Sequence, residues 1–280
     1  IFQTLKDLTV PFIQAQCVLH KHEILICGDY DQNSCYSYHK IKNEYKFICD
    51  FPKDLILWGH CVVKLVDNNK DNNQINLLCF GGHSKYTLIM KYVSVWDNLS
   101  KENNQNEWIT FKDNNNNIIN IEKDFNSCHV VRAVLGGINN NLLFITYYPH
   151  YISVFNLNTY QFIKYYNLPI KDNQTISDHC LIRISYNEML FFYYNSYILI
   201  NYDEYNNKFY FNHIKIYDKL SKSRNYSYVY VDCVILVFGG CNDIYKFVIR
   251  NNEWVDVQNN FYKQLTYCVP LLSEDMIIYI

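Results

Sequence analysis

Short apolar runs of five to eight residues, broken by polar turns, recur along the whole chain. The most regular of them are Glu23 to Cys27, Ile75 to Phe80, Asn141 to Tyr148, Glu188 to Tyr194, Val234 to Phe238 and Met276 to Ile280. Each follows a run that opens on a recurrent marker, a Cys before Val or Leu. The copies are Gln16-Cys17-Val18, His60-Cys61-Val62, His179-Cys180-Leu181 and Tyr267-Cys268-Val269. Ser127-Cys128-His129-Val130 is a close variant, and Tyr226-Ser227-Tyr228-Val229 is the same run without its cysteine. With Ser227 as that marker, the spacings are 44, 67, 52, 47 and 41 residues. A third run follows in each group, as in Met90 to Trp96 and Tyr245 to Ile249. A fourth begins on an aromatic, as in Glu107-Trp108-Ile109 and Glu253-Trp254-Val255. Runs this short are strands rather than helices, and the near-continuous apolar ones predict strands buried on both faces. Four strands every ~40–50 residues is the pattern of propeller blades, since one such sheet cannot bury both faces alone.

The expected architecture is an all-β propeller of about six four-stranded blades, the last incomplete, in one domain spanning 1–280. Blades are placed near 12–52, 58–112, 125–169, 176–217 and 224–258, and 264–280 supplies only first and second strands. The segment Phe2 to Leu8 resembles a fourth strand, comparable to Tyr165 to Pro169. It is therefore expected to complete the 264–280 blade, which would lack its third strand. Pro11, Pro52 and Pro169 each precede a marker by six to eleven residues. Proline donates no ladder hydrogen bond, so it suits the crossover between blades.

Composition strengthens this picture. The chain has only two alanines, Ala15 and Ala133, against 27 Tyr and 17 Phe. Helices lose their best former, and strands gain the residues that suit a pleated surface. Thirty-six Asn, many in runs such as Asn114 to Asn117, belong in turns. A formal charge of −2 argues against a nucleic-acid surface spread over the domain. No run approaches the ~18 apolar residues of a membrane helix. The eleven cysteines (17, 27, 35, 49, 61, 79, 128, 180, 233, 241 and 268) contain no C-x-x-C pair. They read as reduced thiols in a cytoplasmic setting. The sequons at Asn98, Asn173 and Asn225 match chance in so Asn-rich a chain. The chain opens on Ile1 rather than Met, so it is expected to be a fragment of a longer protein, with any targeting signal upstream.

Two segments resemble kelch repeats: Leu78 to Gly82, with Trp96 and Trp108 downstream, and Leu236 to Gly240, with Tyr245 and Trp254 downstream. The glycine doublets allow a tight turn and close approach of a neighbouring aromatic ring. Gly28-Asp29 looks like a decayed copy, while Tyr147-Tyr148 and Tyr193-Tyr194 replace the doublet in the third and fourth blades. Gly136-Gly137 falls before its second strand and reads as a hairpin turn. Gly59-His60 and Trp96-Asp97 are also spaced as in WD repeats, but no other blade repeats that pair.

Chemistry is sparse. His20 and His22 have a spacing able to present two metal ligands on one strand face, but Lys21-His22-Glu23 reads as a hairpin turn. His60, His129 and His179 sit at or beside repeat markers, where recurrence indicates structure rather than a single active site. Trp96, Trp108 and Trp254 read as packing aromatics, while Trp58, beside a blade start, has no assigned role. The Asn-rich stretches 67–76, 98–107 and 113–120 read as solvated insertions. No G-x-S-x-G, H-E-x-x-H, G-x-G-x-x-G or P-loop pattern occurs. No catalytic, cofactor-binding or metal-ligating residue is assigned, and no cofactor is expected. The kelch resemblance implies a protein-interaction module or substrate adaptor that meets a protein partner through face loops, with no nucleic acid or membrane. Galactose-oxidase-like copper or carbohydrate chemistry on the same scaffold is the rival, and it would need His, Tyr and Cys converging at the channel mouth.

Overall fold

The apolar runs fold as strands, and each group of four pairs in chain order. The computed structural model describes residues 6–8, 10–66, 74–83, 86–97, 106–121, 130–170, 175–177, 179–193, 196–214, 227–238, 244–257, 269, 271–273 and 276–279. Two compact units divide the chain at Val131/Arg132. In the first, β1 (Gln16–His20), β2 (Glu23–Cys27), β3 (Ser34–His39) and β4 (Glu44–Asp50) form one antiparallel meander. A second contains β5 (His60–Leu65), β6 (Gln74–Gly81), β7 (Leu88–Val93) and the short β8 (Ile109–Thr110).

The other unit holds three such meanders. They are β9 (Arg132–Gly136), β10 (Leu142–Tyr147), β11 (Tyr151–Asn156) and β12 (Gln161–Asn167); then β13 (Cys180–Arg183), β14 (Glu188–Tyr193), β15 (Ser196–Asp203) and β16 (Lys208–His213). The last is β17 (Ser227–Val231), β18 (Val234–Phe238), β19 (Ile244–Val248) and β20 (Glu253–Val257). Beyond it, β21 (Leu271–Leu272) pairs with β22 (Ile278–Tyr279). No α-helix occurs among the described residues.

Side-chain alternation explains how a single sheet serves two neighbours. Along β14, Met189 and Phe191 join a cluster with Phe144 and Val154 of the preceding sheet. The intervening Leu190 and Phe192 join another with Ile235, Val237 and Phe247 of the following one. In the first unit, Leu25, Cys27 and Cys35 pack with Leu77, Met90, Tyr92 and Trp108. Burial is complete along β2 and β10 and falls away in the fourth strands, β4 and β16. Within each unit, successive sheets also meet through their first strands, β1 with β5, β9 with β13, and β13 with β17. Consecutive meanders packed face to face with their first strands adjacent make a β-propeller. The all-β expectation holds, with five full blades described and two strands of a further sheet.

Gly136-Gly137 does open the β9–β10 turn, where Gly137 has φ +81° and the Asn140 N–H bonds its carbonyl at 3.0 Å. Pro52 and Pro169 fall just after β4 and β12, in the connections to the next sheets. The proposed union of 1–9 with 264–280 lies largely outside the described residues. Of that segment, Lys6 donates its N–H to Asn43 Oδ1 (3.3 Å), and its carbonyl accepts the Tyr45 hydroxyl (2.8 Å).

Candidate functional site

The connection 51–59 between β4 and β5 is clamped from several sides. A Cβ on Gly28 would run into the Leu57 side chain and come within 3.0 Å of the Phe51 ring. One on Gly82 would meet the Trp58 carbonyl oxygen at 2.8 Å. The closest neighbour is thus the aliphatic Leu57 at Gly28, with the Phe51 ring next, and backbone at Gly82, rather than an aromatic ring at each. His60 finishes the clamp: its Nδ1 faces Leu57 O at 2.5 Å and its Nε2 faces Cys27 O at 3.0 Å.

Beside this connection, the β2–β3 loop is fixed by a buried carboxylate. Asp29 accepts the N–H groups of Ile13 (2.6 Å), Asp31 (2.8 Å) and Gln32 (2.6 Å). Those bonds hold Tyr30 outward at 55% exposure, edge-on to Trp58 at 40%, with ring centroids 6.2 Å apart. Ile56 is also exposed on the 51–59 connection, as is Ile13, which precedes β1 and is bonded to Asp29. The result is an exposed aromatic pair on backbone held by the Asp29 carboxylate, the His60 ring and close packing at Gly28 and Gly82. Sequence reading left Trp58 without a role and took Asp29 for a decayed glycine. The missed signal was the Asp-x-Asp-Gln run, in which the first carboxylate can accept the N–H groups two and three residues on.

At the opposite end of the same two sheets lies a buried polar cluster. Glu23 accepts hydrogen bonds from Ser37 Oγ (2.6 Å) and the Tyr92 hydroxyl, and Trp96 Nε1 donates to Ser37 Oγ at 2.9 Å. Lys46 Nζ lies 4.3 Å from the Trp96 ring centroid and donates to Val95 O. Burial, then the Glu23 charge, pushes the Tyr92 hydroxyl far above its ordinary range. His20 sits edge-on to Tyr92, its pKa lowered by burial and then by Lys64, with Glu23 opposing. The cluster ties three strands together through one carboxylate.

His20 and His22 turn to different neighbours, Tyr92 and His39, across the Lys21-His22 hairpin turn. His179 is buried with Nε2 2.7 Å from Thr146 Oγ1 and Nδ1 without a partner. Trp108 stacks on Phe51 at 4.6 Å, and Trp254 packs against Phe192, Tyr197 and Phe247. Trp96 and His60 stand at opposite ends of the β5–β8 sheet, so the Gly59-His60 and Trp96-Asp97 pairs do not form one contact. Residues 113–117 form a turn bonded to itself, with Asp113 accepting from the backbone of Asn115 and Asn117. Asn106 is buried and pairs both ways with the Val93 backbone, extending the ladder ahead of β8. Residues 67–73 and 98–105, His129, the Gly239-Gly240 doublet, and Cys128, Cys241 and Cys268 lie outside the described residues. The eight described cysteines are free thiols. Among the described residues no three His, Cys, Asp or Glu side chains gather as a metal set, and no helix is long and apolar enough to cross a membrane.

Comparison with solved structures supports the fold. The structure of YjhT superposes with a TM-score of 0.65 at 10% identity, covering 97% of this chain and 90% of that one. A structural-genomics protein of unknown function from Bacteroides thetaiotaomicron VPI-5482 gives 0.58 at 10% identity, covering 92% of this chain and 61% of its own length. No protein-family description and no curated protein matches the sequence. At such identity the likeness is one of fold alone.

Proposed function

We propose that this chain is a kelch-like propeller serving as a protein-interaction module, without catalytic activity of its own. The observation that carries the reading is the exposed Tyr30–Trp58 pair on fixed loops. Aromatic anchors held on rigid backbone bury large area at small entropic cost, which is how interface hot spots work. The kelch-like part of the proposal is supported by Gly81-Gly82 with Trp96 and Trp108 downstream. A reducing compartment, the cytoplasm, is supported by the free thiols. The partner is a protein that covers the ends of the first two sheets where the β2–β3 and β4–β5 connections lie.

Affinity capture with the purified chain and a Tyr30→Ala/Trp58→Ala variant of equal melting temperature tests this. A discrete set of proteins retained by the wild type and lost by the variant is expected, with photocrosslinks formed from position 30. Identical captured sets from the two chains would overturn the surface assignment.

A further inference from the structure

Four sulfur atoms line up through the core of the first unit. Cys27, Cys35 and Cys49 stand in register on three adjacent strands, Cys27 opposite Cys35 and Cys35 opposite Cys49. Residues paired directly across a ladder share one face of the sheet, so the three thiols stand on the same side. Cys49 Sγ then lies 3.6 Å from Met90 Sδ, on the facing sheet. The two sulfurs are at contact distance, and one ion held by both through bonds of about 2.3 Å at a trigonal angle needs them only about 0.4 Å further apart. Cys27, Cys35 and Met90 are buried, whereas Cys49 is only partly so and offers the way in.

We propose that Cys35, Cys49 and Met90 bind a single soft monovalent cation of the copper(I) or silver(I) class, with Cys27 as the flanking thiol. Sulfur donors disfavour calcium and magnesium; thiolate alone also takes zinc, so the Met90 thioether is the member of the set that discriminates for the softer ion. Trp108 supplies an outer-shell group, its Nε1–H donating to Cys35 Sγ at 3.3 Å, a bond that favours thiolate. Burial above all keeps Cys35 protonated in the empty protein, and the neighbouring Cys35 thiol, then burial, does the same for Cys49. The charges of Asp50 and Glu107 reach Cys49 and favour an arriving cation. On binding, the two thiol protons leave to solvent, and the oxidation state of the ion does not change.

The test is an anaerobic titration of the reduced full chain with copper(I) against a chromogenic copper(I) chelator. The wild type is expected to retain one ion more per chain than Cys49→Ala, and Met90→Leu to hold that ion at least about tenfold more weakly. Cys233→Ala, remote in sequence and outside the sulfur row, should match the wild type. Silver(I) should raise the melting temperature of the wild type more than that of Cys49→Ala, a readout that holds even where Cys35→Ala fails to fold. Equal retention by wild type and Cys49→Ala, no retention against the chelator, or a Met90→Leu chain as tight as wild type would each sink the proposal.

Discussion

Gly82 adopts φ +86°, and any Cβ there meets a backbone oxygen rather than a yielding side chain. Gly82→Ala is therefore expected to lower unfolding free energy by about 2–3 kcal/mol in denaturant titrations, combining left-handed strain with the clash. His179 makes a different prediction. Burial, then the Arg132 charge, holds its pKa well below 6.5, so the folded chain keeps it neutral. The unfolded chain takes up a proton below pH ~6.5, and stability falls as pH drops through that value. The loss grows as the pH falls from about 6.5 toward about 5, over which range the unfolded histidine becomes fully protonated. His179→Phe should remove that part of the pH dependence when melting is compared at the two pH values. The doublet Gly81-Gly82 and the marker position of His179 were legible because both depend on local sequence. That Gly82 abuts Trp58, or that His179 meets Thr146, was not, because those partners come from other strands.

Strands and turns were the most legible level, since their lengths and apolar continuity follow from burial between neighbouring sheets. The third-to-fourth turns carry a device that sequence reading passed over. Tyr38 donates its hydroxyl to Asn43 Oδ1 and Tyr202 donates to Asn207 Oδ1, each at 2.8 Å, with both Asn left-handed. The signal was a Tyr five residues before an Asn, hidden by so many other Asn. The fourth strand of the second blade is shorter than its Glu107-Trp108-Ile109 start suggested, because the Asn106 side chain takes the place of ladder backbone. The Glu23 cluster, joining β2, β3 and β7, had no sequence signal at all. Glu23→Ala leaves the Ser37 and Tyr92 hydroxyls buried without their acceptor and should cost about 2–4 kcal/mol. In a double-mutant cycle with Tyr92→Phe, the two costs are expected to be non-additive by about 1 kcal/mol or more in chemical denaturation.

At the scale of the molecule, each unit is a stack in which a sheet depends on its neighbours. Phe191 faces the β9–β12 sheet from β14, so Phe191→Ala should cost about 3–5 kcal/mol. Hydrogen exchange should then quicken in β10 and β11 together with β14 and β15; acceleration confined to the β13–β16 sheet would contradict that coupling. The propeller itself was readable from period and strand length. The exposed pair was not, since whether Trp58 faces in or out depends on how a nine-residue connection packs between Gly28 and Gly82. The meander has a mechanical corollary. In every four-stranded sheet the chain enters along the first strand and leaves along the last at the same end. Tension on those two points would open ladder bonds in succession rather than all at once, and under an optical trap such sheets should yield at low force, like zips.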